Sequence, residues 1–437
     1  MSGISMDEAL DRAGTGAFQR RLMAIFGLVW AADAMQVLAV GFTAASIAAT
    51  FQLTVPQALQ TGTLFFLGML IGAVVFGRLA DRVGRRSVLI LTVACDAMFG
   101  TLSIFAPDFT SLLVLRFLTG MAVGGTLPVD YAMMAEFLPA KNRGRWLVVL
   151  EGFWAVGTLI VALAAWAASV AGVADAWRYI FAVTALPAIF GIGLRFFVPE
   201  SPLYLLQTGR AEDAKAIVNR MLKRNGRPEL AAADQIVPAP HAPSEGIFSA
   251  SLRRRSLMIL AIWFLVSVSY YGVFTWMPAR LAGEGFGFVR GYGFLVFVAL
   301  AQIPGYALAA YGVEKWGRRP TLIGFCLLSA AGCLLFVLSP DDVLIGASLL
   351  VMSFALLGTW GALYAYTPEL YPTASRATGM GTAGAMARLG GLAAPSLMAF
   401  VVSLGLGVAI GLFAALLVVA AIAALAIDAE TRRVSLA

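Results

Sequence analysis

The chain has 437 residues, 60% of them hydrophobic and 13% charged, with a formal net charge of +7. Soluble chains run at about 45–50% apolar and about 25% charged residues, so a water-soluble globule is excluded, along with disordered, collagenous and small disulfide-stapled classes. Cys95, Cys326 and Cys333 lie inside apolar runs and read as small hydrophobes. The single histidine, His241, sits in the Pro-rich stretch V-P-A-P-H-A-P. One histidine excludes a multi-histidine metal site and a Ser/His/Asp triad. No nucleotide loop of the G-x-x-x-x-G-K-[ST] type occurs. No metal, cofactor or enzymatic reaction is therefore expected.

A helix needs about 20 mainly apolar residues to cross a hydrocarbon core of roughly 30 Å. Taken in chain order, such runs fall near 22–49, 58–80, 87–106, 110–136, 146–170 and 177–198, and then near 256–279, 291–313, 321–338, 342–367, 379–404 and 407–427. Twelve spans are predicted. The first run is about twice the usual 7–15 residue core of a signal peptide and is followed by further spans, so it reads as span 1. Between the two sets, residues 199–255 are polar, with a helical stretch from Ala211 to Arg224 and prolines at 238, 240 and 243. The expected organisation is an N-terminal six-helix half (1–198), a cytoplasmic linker with a short surface helix (199–255), and a C-terminal half with a tail (256–437).

Lys and Arg sort by side. With the N-terminus inside, the inner segments hold Arg12, Arg20, Arg21, Arg78, Arg82, Arg85, Arg86, Lys141, Arg143, Arg145, the basic residues of 199–255, Lys315, Arg318, Arg319, Arg376, Arg432 and Arg433. The outer loops hold Arg178, Arg280 and Arg290. This is the positive-inside pattern and places both termini in the cytoplasm. The positive charge thus belongs to topology and anionic lipid, and nucleic acid is not an expected partner.

Two motifs recur at one spacing. D-R-V-G-R-R at 81–86 returns as E-K-W-G-R-R at 314–319. The pattern E-x-x-P-x-x-x-R at Glu136, Pro139 and Arg143 returns at Glu369, Pro372 and Arg376, displaced by the same number of positions. One shared offset for two motifs implies a duplicated six-helix unit. Parallel repeats of this kind are the plan of major facilitator transporters, whose substrate site lies near midplane between the halves.

Several stretches carry that resemblance. G-R-L-A-D-R-V-G-R-R (77–86) resembles the loop 2–3 signature of the major facilitator superfamily, and Arg116, Gly120 and Gly124 resemble the R-x-x-x-G-x-x-x-G of its fourth helix. P-V-D-Y-A-M-M-A-E-F-L-P-A-K-N-R-G (128–144) and P-E-S-P-L-Y-L (199–205) resemble the sugar-porter-like branch. D-E-A-L-D-R-A-G-T-G-A-F-Q-R-R and the W-A-A-D-A-M of span 1 are most similar to the synaptic-vesicle-protein-related group, which includes bacterial niacin transporters. The resemblance implies an all-α membrane protein of twelve helices in two pseudo-symmetric halves. It also implies a monomer in a bacterial inner membrane that moves a small solute by alternating access.

A charge at the bilayer centre costs about 2.5–3.5 kcal/mol on insertion scales, so intramembrane ionisable residues are functional candidates. Asp33 lies roughly 16 Å into span 1 at 1.5 Å per residue, near midplane. Resemblance to proton-coupled porters assigns Asp33 and Arg116 a coupling pair that protonation breaks; a static ion pair between spans 1 and 4 is the alternative. Glu151 is either a second protonation site or a partner of Arg116. Asp96 and Asp130 carry less, one in a span usually peripheral in this fold and the other near the inner end of span 4. Arg388, roughly 14 Å from the inner end of span 11, sits in an A-R-x-G that resembles organic anion transporters, where an arginine meets the substrate. A guanidinium fork matches a carboxylate; alternatively, Arg388 balances Glu151 or another buried acid.

Candidate cavity aromatics are Tyr270, Tyr271, Phe274 and Trp276 in span 7 and Trp360, Tyr364 and Tyr366 in span 10, with Phe65 and Trp154 as additions. An aromatic cage with one arginine suits a flat aromatic acid. Sugars ask for amides and hydroxyls, and Gln302 is the one Gln or Asn at mid-helix in the second half. The resemblance gives the loop motifs a gating role: Asp81, Arg85 and Arg86 would pair across to the second half and with Glu136 and Arg143, and Glu314, Arg318, Glu369 and Arg376 would mirror them. Headgroup anchoring explains the arginines but not acids in register with them. Gly120, Gly124, Gly379, Gly381 and Gly384 are expected to let helices approach closely. The expected function is proton-coupled symport of a small organic acid of the nicotinate type. Sugar symport and organic-cation or drug carriage are the alternatives within transport, and a non-transporting receptor lies outside it.

Overall fold

In hydrocarbon, backbone amides are satisfied only within a helix or a closed barrel, so long apolar runs must become helices. A computed structural model describes residues 3–139, 141, 143–231, 234–237, 246–281, 291–339, 341–402 and 404–431. Short α1 (Met6–Ala13) precedes α2 (Ala17–Phe51), one-turn α3 (Val55–Ala58), α4 (Gln60–Val83), α5 (Arg85–Ile104), α6 (Phe109–Glu136), α7 (Arg143–Val170) and α8 (Ala176–Arg195). The polar segment carries α9 (Pro202–Gln207) and α10 (Ala211–Arg224). The second half comprises α11 (Arg253–Leu281), α12 (Tyr292–Leu300), α13 (Gln302–Lys315), α14 (Arg318–Leu338), α15 (Asp342–Tyr366), α16 (Thr373–Val402) and α17 (Leu406–Leu425). Among the described residues, 11 spans are long and apolar enough to cross a membrane, and α16, 30 residues long, completes the twelve.

Span 8 differs from expectation. It is broken at Ala301, between α12 and α13. Pro304 supplies the reason: it has no N–H to give, and its ring crowds the carbonyl four residues back, at Leu300. Ser353 of α15 donates to the nearby Val298 carbonyl at 2.6 Å, which repairs part of the interrupted ladder.

The repeat is visible in local geometry. Gly84 and Gly317, equivalent positions of the two motifs, open α5 and α14 with φ of 98° and 112°, a region that disfavours any side chain. Just after them the backbone N–H groups of Arg86 and Arg319 donate to Glu200 at 3.2 Å and Glu430 at 3.1 Å. Asp108 and Asp341, at the same offset, cap α6 and α15 by accepting from Ser111 N and Leu344 N, each at 2.9 Å. The Ser111 amide and hydroxyl hold the Asp108 carboxyl below the usual carboxylate range.

The N-terminus docks on the polar segment. β1 (Gly3–Ser5) pairs in parallel with β2 (Gln235–Val237), and the Asn225 side chain donates to the Ala13 carbonyl at 3.0 Å while accepting from Phe18 N at 3.0 Å.

Helices α4 and α6 touch backbone to backbone. A Cβ on Gly120 would run into the Phe65 carbonyl and one on Gly124 into that of Met69, while Gly68 and Gly72 face Phe117 and Met121 in return. Small residues allow such contact without a hydrophobic driving force. Gly379 likewise packs on the Tyr371 ring, whereas Gly381 faces open space and makes no close approach. Gly120→Val should cost about 3 kcal/mol through overpacking. The expected result is aggregation in size-exclusion chromatography or a sharply lowered melting temperature; wild-type melting would mean the two helices part freely.

Candidate functional site

Eight helices of the two halves enclose a central cavity. Its wall comprises Trp30, Met69 and Leu127, Glu151 and Trp154 of α7, Tyr270 and Tyr271 of α11, Tyr306 of α13, Leu357, Trp360 and Tyr364 of α15, and Ala387 and Arg388 of α16. The cavity measures about 40 Å3, where one water needs roughly 10–15 Å3, so this conformation is contracted around the site. The halves meet there through Trp154 Nε1, which donates to the Tyr270 hydroxyl at 2.8 Å.

The polar groups of this wall are poised rather than satisfied. Arg388 is 7% exposed; its Nη1 donates to the Gly384 carbonyl at 2.7 Å, and its Nε finds no partner among the described residues. Nor does it form an ion pair with any described carboxylate. Among the described residues, the buried indole N–H groups of Trp30 and Trp360 likewise find no acceptor, and one oxygen of Glu151 finds no donor. Buried polar groups are normally paired. Three donor groups and one acid awaiting partners around one cavity therefore point to a ligand rich in acceptors at one end. The aromatic packing is dense: Tyr270–Trp360 and Trp360–Tyr364 centroids are both 5.9 Å apart, and Phe66–Tyr271 is 4.6 Å.

Glu151, Trp154, Tyr270, Tyr271, Trp360, Tyr364 and Arg388 thus converge as the sequence suggests. Phe65 does not: it lies under the Arg116 guanidinium, 4.6 Å from the ring centre, inside the first half. Phe274 and Gln302 line a separate chamber. Tyr366 leaves the cavity and donates its hydroxyl to the Ala429 carbonyl. The side chain of Trp276, like His241 itself, lies outside the described residues.

Trp30 and Tyr306 are cavity residues that sequence reasoning missed. For Trp30 a signal existed. Trp30 and Trp263 are related by the offset of the duplicated motifs, as are Tyr131 and Tyr364. The two pairs form one cluster near the Arg-rich ends of their helices, with Trp30–Tyr131 at 6.0 Å, Trp263–Tyr364 at 4.8 Å and Tyr131–Tyr364 at 5.2 Å between centroids.

The expected Asp33–Arg116 pair is not formed. Arg116 donates through Nη1 and Nη2 to the side-chain and backbone oxygens of Gln36, each at 2.8 Å, and its ring contacts are Phe65 and Phe181. The reason is axial position: Gln36 is one turn beyond Asp33 on the same face of α2, level with Arg116. Gln36 likewise takes Arg116 from Glu151. Asp33 is 1% exposed, its Oδ2 lacks a partner among the described residues, and its charged neighbours are Asp96, Asp130, Arg195 and Arg388. Asp130, near the inner end of span 4, forms a fully buried ion pair with Arg195, which gives it a structural role.

Among the described residues, the ion pairs seen between the loop motifs join residues of one half. Arg85 bonds Glu136, which also accepts from the Ser201 hydroxyl. Arg318, its counterpart, reaches Glu369 at 2.9 Å and Glu314 at 3.2 Å. Arg143 donates to the Leu138 carbonyl at 3.1 Å and lies 3.9 Å from Asp7 of α1. The side chains of Asp81 and Arg376 lie outside the described residues. The physical reason is reach: each arginine begins a helix directly beneath the acid that ends its neighbour, so the nearest carboxylate is in its own half.

Comparison with known proteins follows the same line. The profile of the Major Facilitator Superfamily matches residues 22–395 and 292–436. The niacin transporter NiaP of Acinetobacter baylyi is 37% identical over 390 residues, covering 87% of this chain and 86% of that protein. The putative niacin/nicotinamide transporter NiaP of Bacillus subtilis is 35% identical over 381 residues, covering 87% and 88%. Among solved structures, the partially occluded inward-open xylose transporter XylE of E. coli superposes with a TM-score of 0.75 at 19% identity, covering 96% of this chain and 100% of that one. At that identity the likeness concerns the fold.

Proposed function

Because the chain belongs to the major facilitator superfamily, and is thus an integral membrane transporter of a small molecule, we propose that it imports a small aromatic carboxylate such as nicotinate together with protons. The observation that carries this reading is Arg388, a buried guanidinium with no described carboxylate partner, facing an aromatic cavity beside two unpaired indole donors. A carboxylate would take the Arg388 fork, the ring would stack among Tyr270, Trp360 and Tyr364, and a protonated Glu151 would donate to a ring nitrogen. The names of the relatives lend support. The Arg-rich end is cytoplasmic in this reading, the membrane is the bacterial plasma membrane, and the protein acts as a monomer.

Asp33 is the coupling carboxylate, and Arg116 acts through Gln36 to hold α2 in register. The Arg85–Glu136 and Arg318–Glu369 pairs, with Glu314 and Arg143 of the same motifs, brace the inner ends of each half so that it rocks as one body. Glu151 supports a second reading. An unpaired acid among aromatic rings also suits an organic cation. A thermal-shift screen of the purified protein against nicotinate, benzoate, quaternary amines and hexoses separates these readings, since a bound ligand stabilises the fold by mass action. Stabilisation by the two carboxylates is expected. Stabilisation by amines or hexoses but not by carboxylates overturns the proposal.

A further inference from the structure

A second chamber lies between α2, α7, α11, α12, α13 and α15. It is lined by Leu38 and Phe42 of α2, Thr158 of α7, Val273 and Phe274 of α11, Leu295, Val298 and Ala299 of α12, Gln302 of α13 and Leu349 of α15. No residue is shared with the central cavity. Element by element, this set sits further from the Arg-rich end: Leu38 against Trp30, Thr158 against Trp154, Phe274 against Tyr270, Gln302 against Tyr306, Leu349 against Leu357. The two chambers are therefore stacked along the axis of transport. The Trp154–Tyr270 bond lies on the central-cavity side, one turn from Thr158 and Phe274, and the Phe42 ring of the chamber wall stacks on Tyr292 at 6.4 Å.

Gln302 makes this chamber more than a packing defect. It is 0% exposed, and neither its amide nitrogen nor its oxygen finds a partner among the described residues. Leaving a buried polar group unsatisfied costs about 1–3 kcal/mol, so a wholly unpaired amide in an apolar wall calls for an occupant. Gln302 sits beside the one-residue interruption of span 8 at Ala301, two residues before Pro304. Thr158, the other polar lining residue, is already satisfied by the Trp154 carbonyl at 2.9 Å.

We propose that this chamber is a second ligand site on the route to the central cavity, and that it takes a small planar molecule through an uncharged head with one donor and one acceptor. A primary carboxamide and an undissociated carboxylic acid both have that head, and either would pair with both ends of the Gln302 amide. A carboxylate would meet no cation there, since the described lining is free of charged side chains. Like the central cavity, the chamber is small in this conformation, at about 20 Å3, and would have to widen to admit such a molecule. The proposal rests on the reading above only in taking Arg388 as the anion site.

The test uses the purified full chain in lipid nanodiscs, with nicotinamide as the uncharged probe and nicotinate as the anion, both by equilibrium binding. The ratio of nicotinamide to nicotinate affinity should fall about tenfold in Gln302→Leu, the loss expected for two neutral hydrogen bonds, and rise in Arg388→Ala. Leu349→Phe, which fills the chamber without touching Gln302, should lower the ratio as well and serves should Gln302→Leu fail to fold. An unchanged ratio in the folded variants, or wild-type protein that does not bind nicotinamide, overturns the second site. Failure of the central reading looks different: nicotinate does not bind the wild type, while the Gln302 dependence of nicotinamide binding stands.

Discussion

Arg388→Ala should lower nicotinate affinity about 100-fold, the equivalent of about 2.8 kcal/mol at 1.4 kcal/mol per tenfold. Hydrogen bonds to charged groups contribute about 1.5–3 kcal/mol each, and the guanidinium offers a carboxylate two of them. One is already partly used, because Nη1 is held by the Gly384 carbonyl. That bond fixes the side chain against its own helix and leaves the Nε edge, without a described partner, as the face for the ligand. Arg388→Lys then separates charge from shape. Lysine keeps the charge but presents a point donor rather than a fork, so its affinity should fall between wild type and alanine. Binding of labelled nicotinate to protein in nanodiscs checks both variants, and an unchanged dissociation constant in Arg388→Ala would remove Arg388 from the substrate site.

What could be read ahead in this chain follows a physical division. The spans, the duplicated loops and most of the cavity wall were legible because hydrophobic length and repeated motifs are one-dimensional signals. Side-chain direction is not. Phe65 and Phe66 are neighbours in α4, yet successive helical residues point about 100° apart, so one lies under Arg116 and the other packs on Tyr271. Asp33 and Gln36 share a face of α2, and only the axial position of Arg116 decides which of them it meets. Gln302 stood out as a mid-helix amide, but the break that assigns it to another chamber depends on how Pro304 meets α12 and α15.

The same offset that reveals the duplication also reveals where it stops. Trp30, Tyr131, Glu136, Gly84, Arg85 and Asp108 all have counterparts of the same type at the equivalent positions of the second half, and these residues form the closing aromatic cluster, the inner braces and the caps. The intramembrane charges do not repeat. In place of Asp33, Asp96, Arg116 and Asp130, the second half carries Val266, Ser329, Leu349 and Leu363. The machinery that must move alike in both halves is duplicated, and the buried charge is concentrated in the first. The second half contributes Arg388 at the cavity. In the proposed reading, the coupling acid Asp33 and the anion-binding Arg388 therefore lie in different halves, and alternating access would link them.

That separation sets the expectation for Asp33→Asn. Removing the ionisable group from the first half should abolish accumulation of nicotinate driven by a pH gradient while leaving exchange across the membrane intact. Asp33 is the acid suited to this role on three grounds. It is buried, with Oδ2 lacking a described partner, so its charged form is costly at this depth. The Asp130–Arg195 pair and Arg388 are among its charged neighbours, so a change in its charge would be felt at the guanidinium proposed to meet the substrate. Asparagine also matches its shape, which keeps α2 packed. Asp130 offers a contrast. Removing one partner of a buried ion pair costs about 3–5 kcal/mol, so Asp130→Asn should fail by destabilising the fold, visible as a lowered melting temperature, and not by uncoupling. Proteoliposomes loaded with nicotinate separate the two, since counterflow reads exchange and an imposed acid-outside gradient reads accumulation. Gradient-driven accumulation by Asp33→Asn at the wild-type level would transfer the coupling role to Glu151, the remaining cavity acid without a described partner. The Glu151→Gln variant would then be the one that exchanges without accumulating.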